Sequence, residues 1–141
     1  MGYKITLCSS CTFFDKLEMI KDELSSLGHT IFFPHVWDWT QNTEDEIAKV
    51  QHDLIKRHFQ SINESDAIYV ANFDKKGISN YIGGNTLLEM GKAFDRNIPI
   101  FLMNEIPDMM YTEEIRAMQP YVIGKDWNAL ENMMKAKISN E

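Results

Sequence analysis

"AIYVANFDKKGISNYIGGNTLLEMGKAFDRNIPIFLM", residues 67–103, runs from a β-prone apolar segment through a Gly- and Asn-rich loop into a helical repeat, then into a second apolar segment. Short apolar runs bounded by turn residues predict buried strands over 67–73 and 98–103, and the apolar spacing between them predicts a helix over 86–95. Strand, helix and strand in that succession make a βαβ unit, whose strands are parallel and whose crossover is right-handed.

The same alternation continues outward in both directions. Upstream, "YKITLC" (3–8) predicts a strand, and residues 13–28 predict a helix with Phe13, Leu17, Ile20, Leu24 and Leu27 at helical spacing and Gly28 as its stop. "TIFFP" (30–34) predicts a second strand, "VWDWTQNT" a loop, and 44–63 a long helix whose inner stripe is Ile47, Gln51, Leu54, His58 and Ile62. Downstream come a short helix near 112–118, a strand over 121–123 and a final helix from Asp126. The expected fold is a single α/β domain: a doubly wound, flavodoxin- or Rossmann-like sandwich of about five mostly parallel strands in the order 2-1-3-4-5. In that order the loops after the first and third strands, "CSSCT" and "NFDKKGISNYIGGNT", converge at the carboxyl edge of the sheet.

Composition narrows the function classes. A chain of 141 residues, 44% hydrophobic and 25% charged, has the size and core content of one ordinary domain. Its formal net charge of −7 argues against nucleic acid or an anionic membrane as a partner, since both reward clustered Lys and Arg. A small anionic ligand stays compatible, because backbone amides at a helix start bind anions without a basic protein. No apolar stretch approaches the roughly 20 residues needed to span a bilayer, and the N-terminus has no signal-like apolar region, so a cytoplasmic location is expected.

Cys8 and Cys11 form a C-x-x-C between a strand and a helix, a setting that lowers thiol pKa in redox proteins. The favoured expectation is nonetheless a buried Cys8 closing its strand. With no second Cys pair or paired His, no metal is expected, and no organic cofactor is implied.

Glu89 has two readings. Thr86-Leu87-Leu88-Glu89 fits the capping box, with Thr86 as N-cap and Glu89 reaching back to it. Gly83 and Gly84, in front, instead let backbone approach a ligand, and the helix dipole favours an ionised carboxylate suited to nucleophilic attack. The two roles are compatible, and both are expected.

"SDAIYVANFD", "GGNTLLEMGKAF" and "NIPIFLMN" together resemble the nucleoside 2-deoxyribosyltransferase superfamily, whose signature is a strand, a G-T-x-x-E-x-G helix start and another strand. "ITLCSSCTFF" is similar to that family's opening C-G-S loop, and "FFPHV" resembles the segment with a His after the second strand in 2'-deoxynucleoside 5'-phosphate N-hydrolases. The resemblance covers roughly residues 3–105. It implies Glu89 as the nucleophile that forms a covalent glycosyl-enzyme. It also implies substrate contacts from Ser9, Ser10, His35, Gly83, Gly84, Asn85 and Thr86, with Asn85 standing where the family has Gly and Ser9 replacing the Gly of C-G-S; Asn80 and Tyr81 are expected to contact a base from their place in the long loop before that helix, a loop longer than the family's. The family's catalytic Asp aligns with His58, which at neutral pH is itself able to donate a proton to a departing base. The family's sites are completed across a subunit interface, which implies a homodimer or larger assembly.

The expected activity is cleavage or transfer of the base of a 2'-deoxynucleoside or its 5'-monophosphate, the partner being that small molecule. Hydrolysis and transfer, and the need for a 5'-phosphate, stay open. A non-catalytic nucleotide-binding module of the same fold is the main alternative, supported by His58 and Asn85. A self-associating protein in which Glu89 merely caps is a third, with Trp37 and Trp39 as packing, interface or base-stacking residues.

Overall fold

A computed structural model describes residues 2–10, 13–33 and 43–139. The elements follow in chain order as β1 (Lys4–Cys8), α1 (Phe14–Ser26), β2 (Thr30–Phe32), α2 (Glu44–Asn63), β3 (Ala67–Val70), α3 (Gly84–Asp95), β4 (Ile100–Leu102), α4 (Thr112–Ala117), β5 (Tyr121–Val122) and α5 (Trp127–Ser139). The strands form one five-stranded sheet in the order β2-β1-β3-β4-β5, with every pair parallel. The expected order is therefore the observed one, and "mostly parallel" becomes entirely parallel.

Strand periodicity divides the core into two layers. Ile5, Leu7, Ala67, Tyr69 and Phe101 point to one face and pack with Leu17, Ile20 and Leu24 of α1 and Leu130 and Met134 of α5. Cys8, Ile68, Val70, Ile100 and Leu102 point to the other and pack with Ile62 of α2, Met90 and Ala93 of α3 and Ile115 of α4. All four residues of β3 are buried, which is why that segment reads as a continuous apolar run rather than an alternation.

Helix starts separate correct from incorrect local expectations. At α2, Thr43 accepts from the Glu46 amide at 3.2 Å, while the Glu46 carboxylate accepts from the Thr43 amide at 2.9 Å. This capping box closes the helix end on itself. At α3 the expected Thr86 cap is not formed: Gly83 is the N-cap, it has no side-chain partner, and Thr86 and Glu89 both lie within the helix. Gly83 takes the extended geometry of an N-cap (φ −79°, ψ 172°), a position glycine fills well, so the helix begins before the tetrapeptide that matched the capping pattern. Glu89 therefore sits in the second turn and caps nothing.

Polar clamps hold the sheet's carboxyl edge. Buried Asn72, just past β3, accepts from the Asn104 amide at 2.8 Å and donates to the carbonyls of Asn104 and Glu105 at 3.0 and 3.2 Å. Asn104 donates in return to the Asn72 carbonyl at 3.0 Å. Tyr111, at the N-cap of α4, donates to the Ile82 carbonyl and so ties α4 to the entry of α3. Asp66, just before β3, accepts from the Lys4 amide at 2.8 Å and so ties the start of β3 to β1.

Asn72→Ala leaves the half-buried Asn104 amide without its acceptor, so it is expected to cost about 1–3 kcal/mol in urea unfolding. A change below about 0.5 kcal/mol would show that the clamp is not needed.

Candidate active site

A cavity of about 330 Å³ opens at the carboxyl ends of β1 and β3, where the strand order reverses. Its volume falls in the range of small-molecule sites. Ser9 and Ser10 line it from the loop after β1, and Gln51, Leu54, Ile55, His58 and Phe59 from α2. Lys75, Tyr81 and Gly83 contribute from the loop after β3, and Gly84, Asn85, Thr86 and Glu89 from the start of α3. A larger groove of about 650 Å³ lies along β4 and β5, but its lining, which includes Phe94, Phe101, Met118, Tyr121 and Met133, holds no carboxylate or imidazole. The chemistry is concentrated in the first cavity.

The apolar spacing of α2 explains how His58 reaches this place. The helix faces α3 along the stripe anticipated from sequence, yet of its residues only Ile62 is fully buried. Gln51, Leu54 and His58, at the same helical spacing, face the cavity. A position that would be core in a closed packing is here a wall.

Glu89 is 5% exposed. Its Oε2 lies 3.3 Å from His58 Nδ1, a pair held by α2 and α3 together. The alignment leaves Glu89 Oε2 and His58 Nε2 without a hydrogen-bond partner among the described residues, although both atoms are buried. The side-chain interaction with Glu89 raises the pKa of His58 above the ordinary imidazole value, aided by charge attraction and opposed by burial. The imidazolium is thus favoured beside the carboxylate.

Cys8, the last residue of β1, is buried, free and adjacent to Glu89. Burial raises its thiol pKa strongly, and the charge and hydrogen bonding of Glu89 raise it further. A redox C-x-x-C needs the opposite shift, so the structure favours a buried Cys8 closing its strand. Cys11 lies outside the described residues. Sequence spacing alone did not reveal the contact between Cys8 and Glu89, because it arises between residues of different elements.

The other expected site residues divide. Ser10, Gly83, Gly84, Asn85 and Thr86 meet at the cavity. Ser9 lines it as well, but its hydroxyl donates to the Ala71 carbonyl at 2.7 Å and so joins the loops after β1 and β3. Asn80 is not part of the lining; its amide donates to Asp74 Oδ1 at 2.8 Å, at the base of a small turn. His35, Trp37 and Trp39 lie outside the described residues. Lys75, Ile55 and Phe59 line the cavity without having been anticipated. Among the described residues no group of three or more His, Cys, Asp or Glu is placed to hold a metal ion, and no helix is long and apolar enough to cross a membrane.

No protein-family model and no curated protein matches the chain. Solved structures do. The 2-deoxyribosyltransferase of Bacillus psychrosaccharolyticus superposes with a TM-score of 0.52 at 22% identity, over 92% of this chain and 90% of that one. A conserved protein from Enterococcus faecalis superposes with a TM-score of 0.58 at 13% identity, over 97% of this chain and 99% of that one. Together with the all-parallel 2-1-3-4-5 sheet and helices on both faces, these likenesses establish that the chain has the nucleoside 2-deoxyribosyltransferase-like fold.

Proposed function

We propose that the protein breaks the N-glycosidic bond of a 2'-deoxynucleoside or its 5'-monophosphate, with Glu89 as nucleophile and His58 as the proton donor for the departing base. The observation that carries this reading is the buried pair itself: a carboxylate oxygen with no hydrogen-bond partner, 3.3 Å from an imidazole, in a cavity of about 330 Å³. The fold, shared with a 2-deoxyribosyltransferase, makes nucleoside chemistry the natural class for that pair.

Glu89 attacks the anomeric carbon as the bond from that carbon to the base nitrogen breaks, and the bonding electrons leave with the base. The base takes up a proton from the His58 imidazolium. Before the attack, the carboxylate charge stabilises that imidazolium. Formation of the glycosyl ester removes the charge, so His58 becomes a stronger acid as the base departs. Water or a second base then attacks the same carbon and frees Glu89. Neutral His58 accepts a proton from that incoming nucleophile.

Incubating the wild type with 2'-deoxynucleosides and their 5'-monophosphates, with and without an acceptor base, is expected to release or exchange base, as read by chromatography. Glu89→Ala is expected to abolish both products. Nucleotide binding by a folded wild type with no release would instead identify a binding module.

His58 gives a pH prediction with a defined sign. A raised folded-state pKa means that the active imidazolium persists above its ordinary value near 6.5 and is lost as pH rises through the raised value. The alkaline limb of kcat/KM is therefore expected above that value. His58→Gln is expected to lower kcat by about 10²–10⁴-fold and to remove the limb. The same linkage makes the pair's contribution to stability complete below about pH 6.5 and lost on titration through the raised value. A limb of unchanged position in His58→Gln would exclude His58 as the acid.

A further inference from the structure

The larger groove, of about 650 Å³, lies toward the amino ends of β4 and β5, away from Glu89, and takes no part in the chemistry proposed above. Its walls come from the end of α3, the turns into β4 and β5, and the last turns of α5. Exposed apolar side chains stand at or beside it on three separate elements: Phe94 on α3, Tyr121 and Val122 on β5, and Met133 on α5. Such convergence on one groove marks an interaction surface, whereas apolar side chains scattered singly do not. Met118, Met133 and Met134 line it, and the unbranched methionine side chain lets a surface adapt to its partner.

Charge and backbone together define what covers it. Lys137 is the one charged residue of the lining among the described residues, and it donates to the Asn97 carbonyl at 2.8 Å, which fixes its ammonium between α5 and the turn after α3. Exposed Arg96 and Lys135 adjoin lining residues in sequence, and Asp95 is the one carboxylate that does so. In a chain of net charge −7 this face is locally cationic, and it favours an occupant that carries carboxylates. A twofold pairing of two copies through it would instead set cation against cation.

The backbone adds a direction. Among the described residues β5 pairs with β4 alone, and Ile123 donates its amide to the Leu102 carbonyl at 3.0 Å. Successive residues of a paired strand turn their peptide groups to alternate sides, so the Val122 amide and carbonyl face outward, away from β4. An exposed edge of this kind is a template for one more strand.

We propose that the groove and the outer edge of β5 receive an extended, acidic segment of another protein. Its main chain pairs with Val122, its apolar side chains rest on Phe94, Tyr121 and Met133, and its carboxylates face Arg96, Lys135 and Lys137. This docking surface goes beyond the glycosidic reading and is independent of it, because the groove shares no lining residue with the cavity at Glu89.

The test is fluorescence anisotropy with a labelled peptide that alternates Glu with Leu and Phe. One counterpart carries Lys in place of Glu, and another carries Ser in place of Leu and Phe. The acidic apolar peptide is expected to bind the wild type, more weakly as salt is raised, and each counterpart to bind about tenfold more weakly or worse. Arg96→Glu combined with Lys135→Glu, and separately Met133→Asp, are each expected to weaken the acidic peptide about tenfold. All three positions are exposed, so an unchanged Tm is expected; should Met133→Asp lower it, the charge reversals carry the test.

In the saturated complex the Val122 amide is expected to exchange with solvent deuterium more slowly than in the free protein. Absence of binding, equal binding of the Glu and Lys peptides, binding that survives the substitutions, or an unprotected Val122 amide would overturn the proposal. Dimers in sedimentation that Met133→Asp dissolves would also overturn it, by making a second copy the occupant.

Discussion

The reversal of strand order between β1 and β3 is the constraint on which the other features depend. β3 pairs with β1 on one side and β4 on the other, so both of its edges are occupied, and all four residues are buried. The chain leaves it only at the carboxyl end, beside the end of β1, with helices diverging to opposite faces. The cavity opens at that edge between α2 and α3, which pack on the same face of the sheet. Ser9 and the Asn72–Asn104 clamp keep the strand ends in register around it. The position of Glu89 thus follows from topology before any particular side chain is considered.

Electrostatics then determines what that position is able to do. A carboxylate this buried is unfavourable without a partner, because the protein interior solvates charge poorly. Cys8 lies next to it with a thiol driven toward its neutral form, and His58 lies next to it with an imidazole driven toward its charged form. Glu89 thus favours the protonated form of both neighbours, adding to the effect of burial at Cys8 and overcoming it at His58. The result is one cationic proton donor and one neutral neighbour at the same centre.

Much of this was legible in the sequence. The limits of α2 agree with the structure because Thr43 and Glu46 form a local, self-contained start signal. The inner stripe of α2 correctly grouped Gln51, Leu54 and His58, although periodicity could not tell a cavity wall from a core face. At α3 the tetrapeptide ending in Glu89 has the composition of a capping box, but the helix starts earlier, on Gly83 as N-cap, with no side-chain cap. The turn that brings Lys75 to the cavity wall is less legible: Lys75 and Ile78 exchange backbone hydrogen bonds around Lys76, whose φ of 54° is a conformation that composition does not announce. Contacts of Glu89 with Cys8 and His58 depend on three separate elements and appear only when these are assembled.

The two helices that frame the cavity begin in contrasting ways. α2 starts with both members of its capping box bonded, whereas α3 starts on Gly83 with no side-chain cap. A capping side chain typically contributes about 0.5–2 kcal/mol, so the start of α3 is a place where intrinsic stability has been forgone. A Cβ on Gly83 would meet the Tyr81 ring at 3.3 Å, and a cap there would compete for the amides that face the cavity. Substitutions chosen to rigidify this helix end would therefore trade ligand access for thermal resistance, whereas the start of α2 is already capped without making that exchange.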